Sequence, residues 1–225
     1  MGKMLVIIFD IDVTDKKWKT VLVAGLGAGG HSYFAIDITN PDSPWHLFTI
    51  ENNPSDQIVH YWDKDGNNQS YGNQFGQPPI DLDYSNLGEA WSEPRITRIV
   101  ENGKDKWVVL FGGGFNNGTN SNYGSVFYVV DLLGGGKILK QIPIADGSSD
   151  NIANSIPTTP LVINADATSK ATFKGAMVYI NDLEGKLTKI NLTNKGNLYD
   201  TTQLFDADST ENNGRLVMQD MNATI

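Results

Sequence analysis

The strongest constraint on this chain is a pair of runs that occurs three times. The first run is apolar: Thr20-Val-Leu-Val-Ala24, Trp107-Val-Val-Leu-Phe111 and Ala176-Met-Val-Tyr-Ile180. The second closes on Asp or Asn: Ser32-Tyr-Phe-Ala-Ile-Asp37, Ser125-Val-Phe-Tyr-Val-Val-Asp131 and Lys186-Leu-Thr-Lys-Ile-Asn191. Short β-branched and aromatic runs bounded by turn signals read as strands, since a helix needs more length. An Asp or Asn at a strand end folds its side chain back onto the next turn. Glycine clusters, Gly25 to Gly30 and Gly112 to Gly114, end the first two apolar runs.

Two further strands complete each copy. Opening strands begin after proline at Pro94 and Pro160, where no ladder donor is needed, and span Leu5 to Val13 in the first copy. Closing strands are Trp45 to Ile50, Lys137 to Ile144 and Leu198 to Phe205. The equivalent residues Asp37, Asp131 and Asn191 are 94 and 60 positions apart, and a polar insert over 51–90 accounts for the excess. One four-stranded sheet cannot cover both its faces, so repeated units stack on one another. The expected fold is all-β and β-propeller-like, with about three four-stranded antiparallel blades at roughly 5–50, 94–144 and 160–205. Propellers close with about 4–8 blades, so the chain reads as part of a larger ring. A sandwich with irregular strand pairs is the rival architecture.

Composition narrows the function. Hydrophobic residues make up 40%, enough for a core, and 23 glycines with 9 prolines suit many turns. The formal charge of −9 repels phosphate backbones and anionic lipid, so neither nucleic acid nor membrane insertion is expected. No cysteine is present, which excludes disulfides and thiol catalysis. The apolar run Met4 to Phe9 reaches Asp10 and Asp12 without a small-residue cleavage site and reads as a strand, so any signal peptide of a parent protein is expected outside this piece.

Few motifs carry chemistry. Gly25-Leu-Gly27-Ala-Gly-Gly30 fits the dinucleotide fingerprint formally, but that fingerprint needs a following helix, and His31 to Ile38 reads as a strand. Asp63-Lys-Asp65-Gly-Asn67 places oxygens at alternate positions around a glycine, as hard-cation loops do, and a solvated Asx turn is the competing reading. Asp81 and Asp83 lie downstream, near Pro78-Pro79. The histidines His31, His46 and His60 show no metal spacing, and no nucleophile elbow occurs. Trp18, Trp91 and Trp107 are expected to pack at strand junctions. Trp45, and Tyr61, Trp62, Tyr71 and Phe75 in the insert, read as an exposed contact surface, or as rings tucked onto their own blade.

Three segments, in order, carry a family resemblance: Trp18-Lys-Thr-Val-Leu-Val-Ala-Gly-Leu-Gly-Ala-Gly-Gly30 with Tyr33-Phe-Ala-Ile-Asp-Ile-Thr-Asn-Pro41; Leu87-Gly-Glu-Ala-Trp-Ser-Glu-Pro94; and Trp107-Val-Val-Leu-Phe-Gly-Gly-Gly-Phe-Asn116 with Tyr128-Val-Val-Asp-Leu132. Pro157-Thr-Thr-Pro160 and Asp182-Leu-Glu-Gly-Lys-Leu-Thr-Lys-Ile-Asn-Leu192 agree more loosely. Over about residues 18–192 the chain resembles the C-terminal propeller of the PilC/PilY1 type IV pilus biogenesis and tip-adhesin family. The resemblance implies a non-enzymatic module of a longer protein, exported through the periplasm to the outer-membrane surface. Its implied partners are the pilus machinery or minor pilins and a host-cell or abiotic surface, in support of pilus extension and attachment. Several relatives hold calcium in a loop that here corresponds to Asn164 through Lys174. That stretch keeps Asp166 but supplies Lys170 and Lys174, so this site is expected to be lost and calcium, if bound, to sit at Asp63, Asp65 and Asn67. The alternatives are a quinoprotein-like propeller enzyme, whose acidic and basic funnel set is not found in the sequence, and a plain scaffold propeller.

Overall fold

Strand pairing in the computed structural model follows chain order throughout. The structure describes residues 5–13, 17–116, 123–144, 154–164, 173–207, 209 and 216–223. The first sheet holds β1 (Leu5–Val13), β2 (Lys17–Gly25), β3 (Ser32–Asp37) and β4 (Trp45–Asn53), extended outward by β5 (Ile58–Trp62) and β6 (Asn68–Tyr71). The second holds β7 (Arg95–Glu101), β8 (Lys104–Gly112), β9 (Val126–Asp131) and β10 (Lys137–Pro143). The third holds β11 (Leu161–Asn164), β12 (Gly175–Asn181), β13 (Leu187–Thr193) and β14 (Thr201–Phe205). Every pair is antiparallel, and β7 lies against both β1 and β11, which puts the first strand of each blade innermost.

Alternation along the strands decides which faces meet. In blade 2, Val109, Phe111, Tyr128 and Val130 face blade 1 and join its Val21, Val23, Tyr33, Phe48 and Ile50. The intervening Val108, Leu110, Phe127 and Val129 face blade 3 and join Ala176, Val178, Ile180, Ile190 and Leu192. Both faces of this sheet are therefore dry, which is why its β8 and β9 read as continuous apolar runs. Blades 1 and 3 each bury one face, and their outward rows carry half-buried residues such as Leu22, Phe34, Met177 and Tyr179.

One device recurs in all three blades. The third and fourth strands slip by one residue, leaving Leu47, Leu139 and Leu204 as the extra residue on β4, β10 and β14. A bulge bends its strand and increases the twist, as a blade needs toward its outer edge. Leu47 and Leu139 pack against the two cores.

The insert differs from the loop expected of it. β4 continues past Ile50 to Asn53, turns at 54–57, and is joined by β5 and β6, so the blade has six strands. The run Ile58-Val-His-Tyr-Trp62 is rich in strand formers, and an open sheet edge is available to pair with it. No helix among the described residues is long and apolar enough to cross a membrane.

Candidate functional site

Strand alternation separates the insert aromatics. Tyr61 points to the covered face, is 6% exposed, and donates its hydroxyl to the Gly135 carbonyl of blade 2 at 2.7 Å. Trp62 points the other way, opposite Thr49 and 5.8 Å from the His60 ring. Tyr71 is half-buried and donates to Gln69 Oε1 at 2.5 Å. Phe75 stands in a short 3₁₀ turn (Asn73–Phe75) with 49% of its surface exposed. Ile80, which the sequence did not single out, is 89% exposed as the first residue of a second 3₁₀ turn (Ile80–Leu82).

Asp63 closes the turn between β5 and β6. Its Oδ1 accepts from the amides of Asp65 and Asn67, both at 2.9 Å, and its Oδ2 accepts from Asn67 Nδ2 at 3.0 Å. The Asn67 bonds lower its carboxyl below the usual range. Asp65 pairs with its neighbour Lys64 at 2.8 Å. Asp81 pairs with Lys137 at 2.8 Å and Asp83 accepts from Ser85, so neither is brought to this turn. Among the described residues no group of three or more His, Asp or Glu is arranged to hold a metal ion. Of the loop corresponding to the relatives' calcium site, 165–172 lie outside the described residues.

The histidines are also apart. His46 bonds the Asp63 carbonyl and Thr49 Oγ1, each at 2.9 Å, and His60 bonds Ser70 Oγ at 2.9 Å. Burial lowers the pKa of His31, against the opposing pull of Glu89 and Glu51. Trp91 stacks on Phe115 at 4.4 Å and Trp107 packs against the first core, as expected. Trp18 does not pack: it is 64% exposed.

The glycine clusters serve the connections between blades. Residues 87–94 run from blade 1 to blade 2 and bond to a turn of each: Ala90 donates its amide to Gly30 O at 2.8 Å and Gly88 to Gly113 O at 2.7 Å. Glu89 and Phe115 exchange two amide bonds at 2.9 Å. A Cβ on Gly114, whose φ is +90°, would stand 1.9 Å from Glu89 O, so glycine is required there. The next connection repeats this, with Gly114 donating to Ile156 O at 3.1 Å and Leu183 to Ser155 O at 2.8 Å.

The Ser-Glu-Pro and Thr-Thr-Pro strings are staples between blades. The Tyr33 hydroxyl donates to Ser92 O at 2.7 Å, Ser92 Oγ to Thr158 O at 2.8 Å, and Thr158 Oγ1 to Asn181 O at 2.9 Å. Ser92 and Thr158 are almost wholly buried, so these bonds replace the water both strings would otherwise hold.

Blade 3 adds a cluster that sequence reasoning missed. Asp182, Glu184 and Lys186 are at most 4% exposed. Asp182 accepts from the Lys186 amide at 2.8 Å and from Asn154 Nδ2 at 3.1 Å, and Asn154 also donates to Glu184. Lys186 Nζ lies 3.5 Å from Glu184. Burial pushes the Asp182 carboxyl up to about 6. The available signal was Asp-x-Glu-Gly-Lys standing where the other two copies have glycine.

Comparison with known proteins places these features in context. The model of the PilY1 beta-propeller domain matches residues 3–221. A type IV pilus biogenesis factor PilY1 homolog of Xylella fastidiosa (strain Temecula1 / ATCC 700964) is 29% identical over 187 residues, 80% of this chain and 10% of that protein. The type IV pilus biogenesis factor PilY1 of Pseudomonas aeruginosa (strain UCBPP-PA14) is 25% identical over 178 residues, 79% of this chain and 12% of that protein. The chain thus spans about a tenth of the length of these relatives. The crystal structure of the Pseudomonas aeruginosa PilY1 C-terminal domain superposes with a TM-score of 0.53 at 22% identity, over 83% of this chain and 29% of that one.

Proposed function

The chain belongs to the PilY1 β-propeller domain family, and from that premise we propose that it is a non-enzymatic module of type IV pilus biogenesis that also attaches the pilus to a surface. The family match over residues 3–221 carries this reading. The relatives' names as type IV pilus biogenesis factors support the pilus part. The attachment part is supported by exposed apolar groups at the insert, Phe75 and Ile80. In this reading the module is exported to the cell surface, where it meets the pilus machinery or minor pilins and a host-cell or abiotic surface. Further blades of a larger ring cover the outward faces of blades 1 and 3.

In-frame removal of this segment in the bacterium that makes it is expected to reduce sheared surface pili and attachment together. Unchanged pili, with the shortened protein still accumulating, would overturn the biogenesis reading. Purified chain is expected to compete with whole cells for attachment, and Phe75→Ala with Ile80→Ala to weaken that competition. A calcium ion, where bound, is assigned to the turn at Asp63, Asp65 and Asn67. Calorimetry showing a site that survives Asp63→Ala and Asp65→Ala would refute that placement.

A further inference from the structure

The crossover end of blades 1 and 2 carries two hollows that share a wall. One, of about 250 Å³, is bordered by His31, Ser55, Glu89, Phe115 and Asn116. The other, of about 300 Å³, is bordered by Gln57, Tyr71, Asn73, Gln77 and Asn86. Tyr123 lines both, and the turn over 54–57 contributes to each, so the two hollows adjoin at Tyr123 as one two-part cleft. At about 250 and 300 Å³, they sit just below and at the lower end of the roughly 300–1,000 Å³ of ligand-binding clefts.

The cleft is built on fixed backbone. Asn52, 3% exposed, donates to Ser85 O at 3.0 Å and Leu87 O at 2.7 Å, which ties the last part of the insert to the end of β4. Asn73 Nδ2 donates to Asp56 O at 3.2 Å. Gly72 approaches Gln57 so closely that a Cβ would stand 2.2 Å from its carbonyl. Two residues other than glycine hold left-handed backbone here, Gln57 at φ 57° and Asn73 at φ 37°. For Gln57 in particular that conformation is costly, and such strain concentrates where side chains are aimed at a ligand.

The lining selects a ligand class. Among the described residues it contains no Lys or Arg, and burial favours neutral His31, so no cationic side chain there offsets the desolvation of a phosphate, sulfate or carboxylate, and Asp83 and Glu89 repel one. Instead it offers amides, hydroxyls and two carboxylates interleaved with aromatic rings. Amides and carboxylates bond vicinal hydroxyls, and a ring such as Tyr123 packs against an apolar C–H face. A sugar ring presents both.

We propose that this cleft binds a neutral oligosaccharide, with Tyr123 as its central platform and Gln57, Asn86 and Glu89 among the groups that bond its hydroxyls. The proposal deepens the attachment reading and rests on it for where the sugar is met.

The 225-residue chain, purified and displayed on an array of neutral glycans, acidic glycans and peptides, tests it. Expected is retention on neutral glycans, weakened at least tenfold by Tyr123→Ala and by Gln57→Gly. The second variant relieves left-handed backbone while removing the amide, so it decides the matter if Tyr123→Ala does not fold. Phe205→Ala, on β14 of blade 3 and away from both hollows, is expected to bind as the parent does. Retention on acidic glycans or peptides alone, no retention, or neutral-glycan binding unaffected by both variants would each overturn the proposal. Chain-coated beads separate the two readings: beads that attach to surfaces while the array stays empty sink the cleft and spare attachment. Array binding with inert beads does the reverse.

Discussion

Blades 2 and 3 share one strand plan and place their charges at opposite ends. In blade 2, Lys106 on β8 lies 3.5 Å from Asp131 at the end of β9 and 3.0 Å from Glu101, which accepts from Tyr199 Oη at 2.7 Å. Burial raises the Glu101 carboxyl, but the Tyr199 and Lys106 bonds outweigh it and hold it below its usual range. Blade 1 repeats the pair at the same register, Lys19 with Asp37 at 2.5 Å. In blade 3 the register puts Gly175 at the lysine position and Asn191 at the aspartate position. Gly175 has φ +95°, and a Cβ there would stand 2.1 Å from Leu192 O, so no lysine fits. Without a cation the carboxylate is replaced by an amide that donates to Lys195 O at 2.8 Å and Asn197 O at 2.9 Å. At the crossover end the order reverses: blade 2 has Gly112 to Gly114, and blade 3 has buried Asp182, Glu184 and Lys186. Charge therefore follows the backbone path, and equivalent turns need not share chemistry.

The contrast breaks first at the dry faces. Phe111→Ala empties the middle of the interface between blades 1 and 2, where the ring stacks on Tyr33 at 4.2 Å, and is expected to cost about 4 kcal/mol. Met177→Ala, on the outward row of blade 3, is expected to cost less than about 2 kcal/mol in this chain. Denaturant unfolding of both checks this, and equal losses would mean the middle blade is not specially buried.

The buried charge cluster sets the next effect. A carboxyl whose folded pKa is raised from 3.8 to about 6 is protonated more readily in the folded state. It costs nothing below the unfolded value and its full penalty above the folded one, so stability falls as pH rises from about 4 to 7. At about 1.4 kcal/mol per unit the loss is about 3 kcal/mol. Asp182→Asn is expected to flatten this slope, measured as unfolding free energy against pH. An unchanged slope would place the titration elsewhere.

The smaller effects concern the strand ends. Asn191→Asp is expected to cost about 2 kcal/mol, because it removes two donors and sets a carboxylate against two carbonyls. A double-mutant cycle on Lys106 and Asp131 is expected to give a coupling of about 0.5–1 kcal/mol that salt weakens, as for other partly exposed pairs. A coupling as large as the Asn191→Asp loss would remove the distinction between the two solutions.

Local signals were legible and long-range ones were not. The ends of β3 and β9 at Asp37 and Asp131 could be read because a strand and its closing turn are set by neighbouring residues. Trp18 misled because it precedes an apolar run as Trp107 does. The register instead aligns Val21 with Val108, which puts Trp18 where blade 2 has Asp105 at its surface. Tyr61 and Trp62 could be divided only once that stretch was known to be a strand, since adjacent strand residues take opposite faces. The sides of the proposed cleft come from segments as distant as His31 and Tyr123, and no spacing in the chain brings those together.

The amino-acid order by itself determined three copies of a four-strand unit, because alternation, proline and turn residues act over a few positions. Only the tertiary structure decided which face of each sheet is dry, why Gly114 and Gly175 tolerate nothing larger, and where charge is buried. Those depend on how closely one blade's backbone passes another's, a distance fixed by packing between residues far apart in the chain.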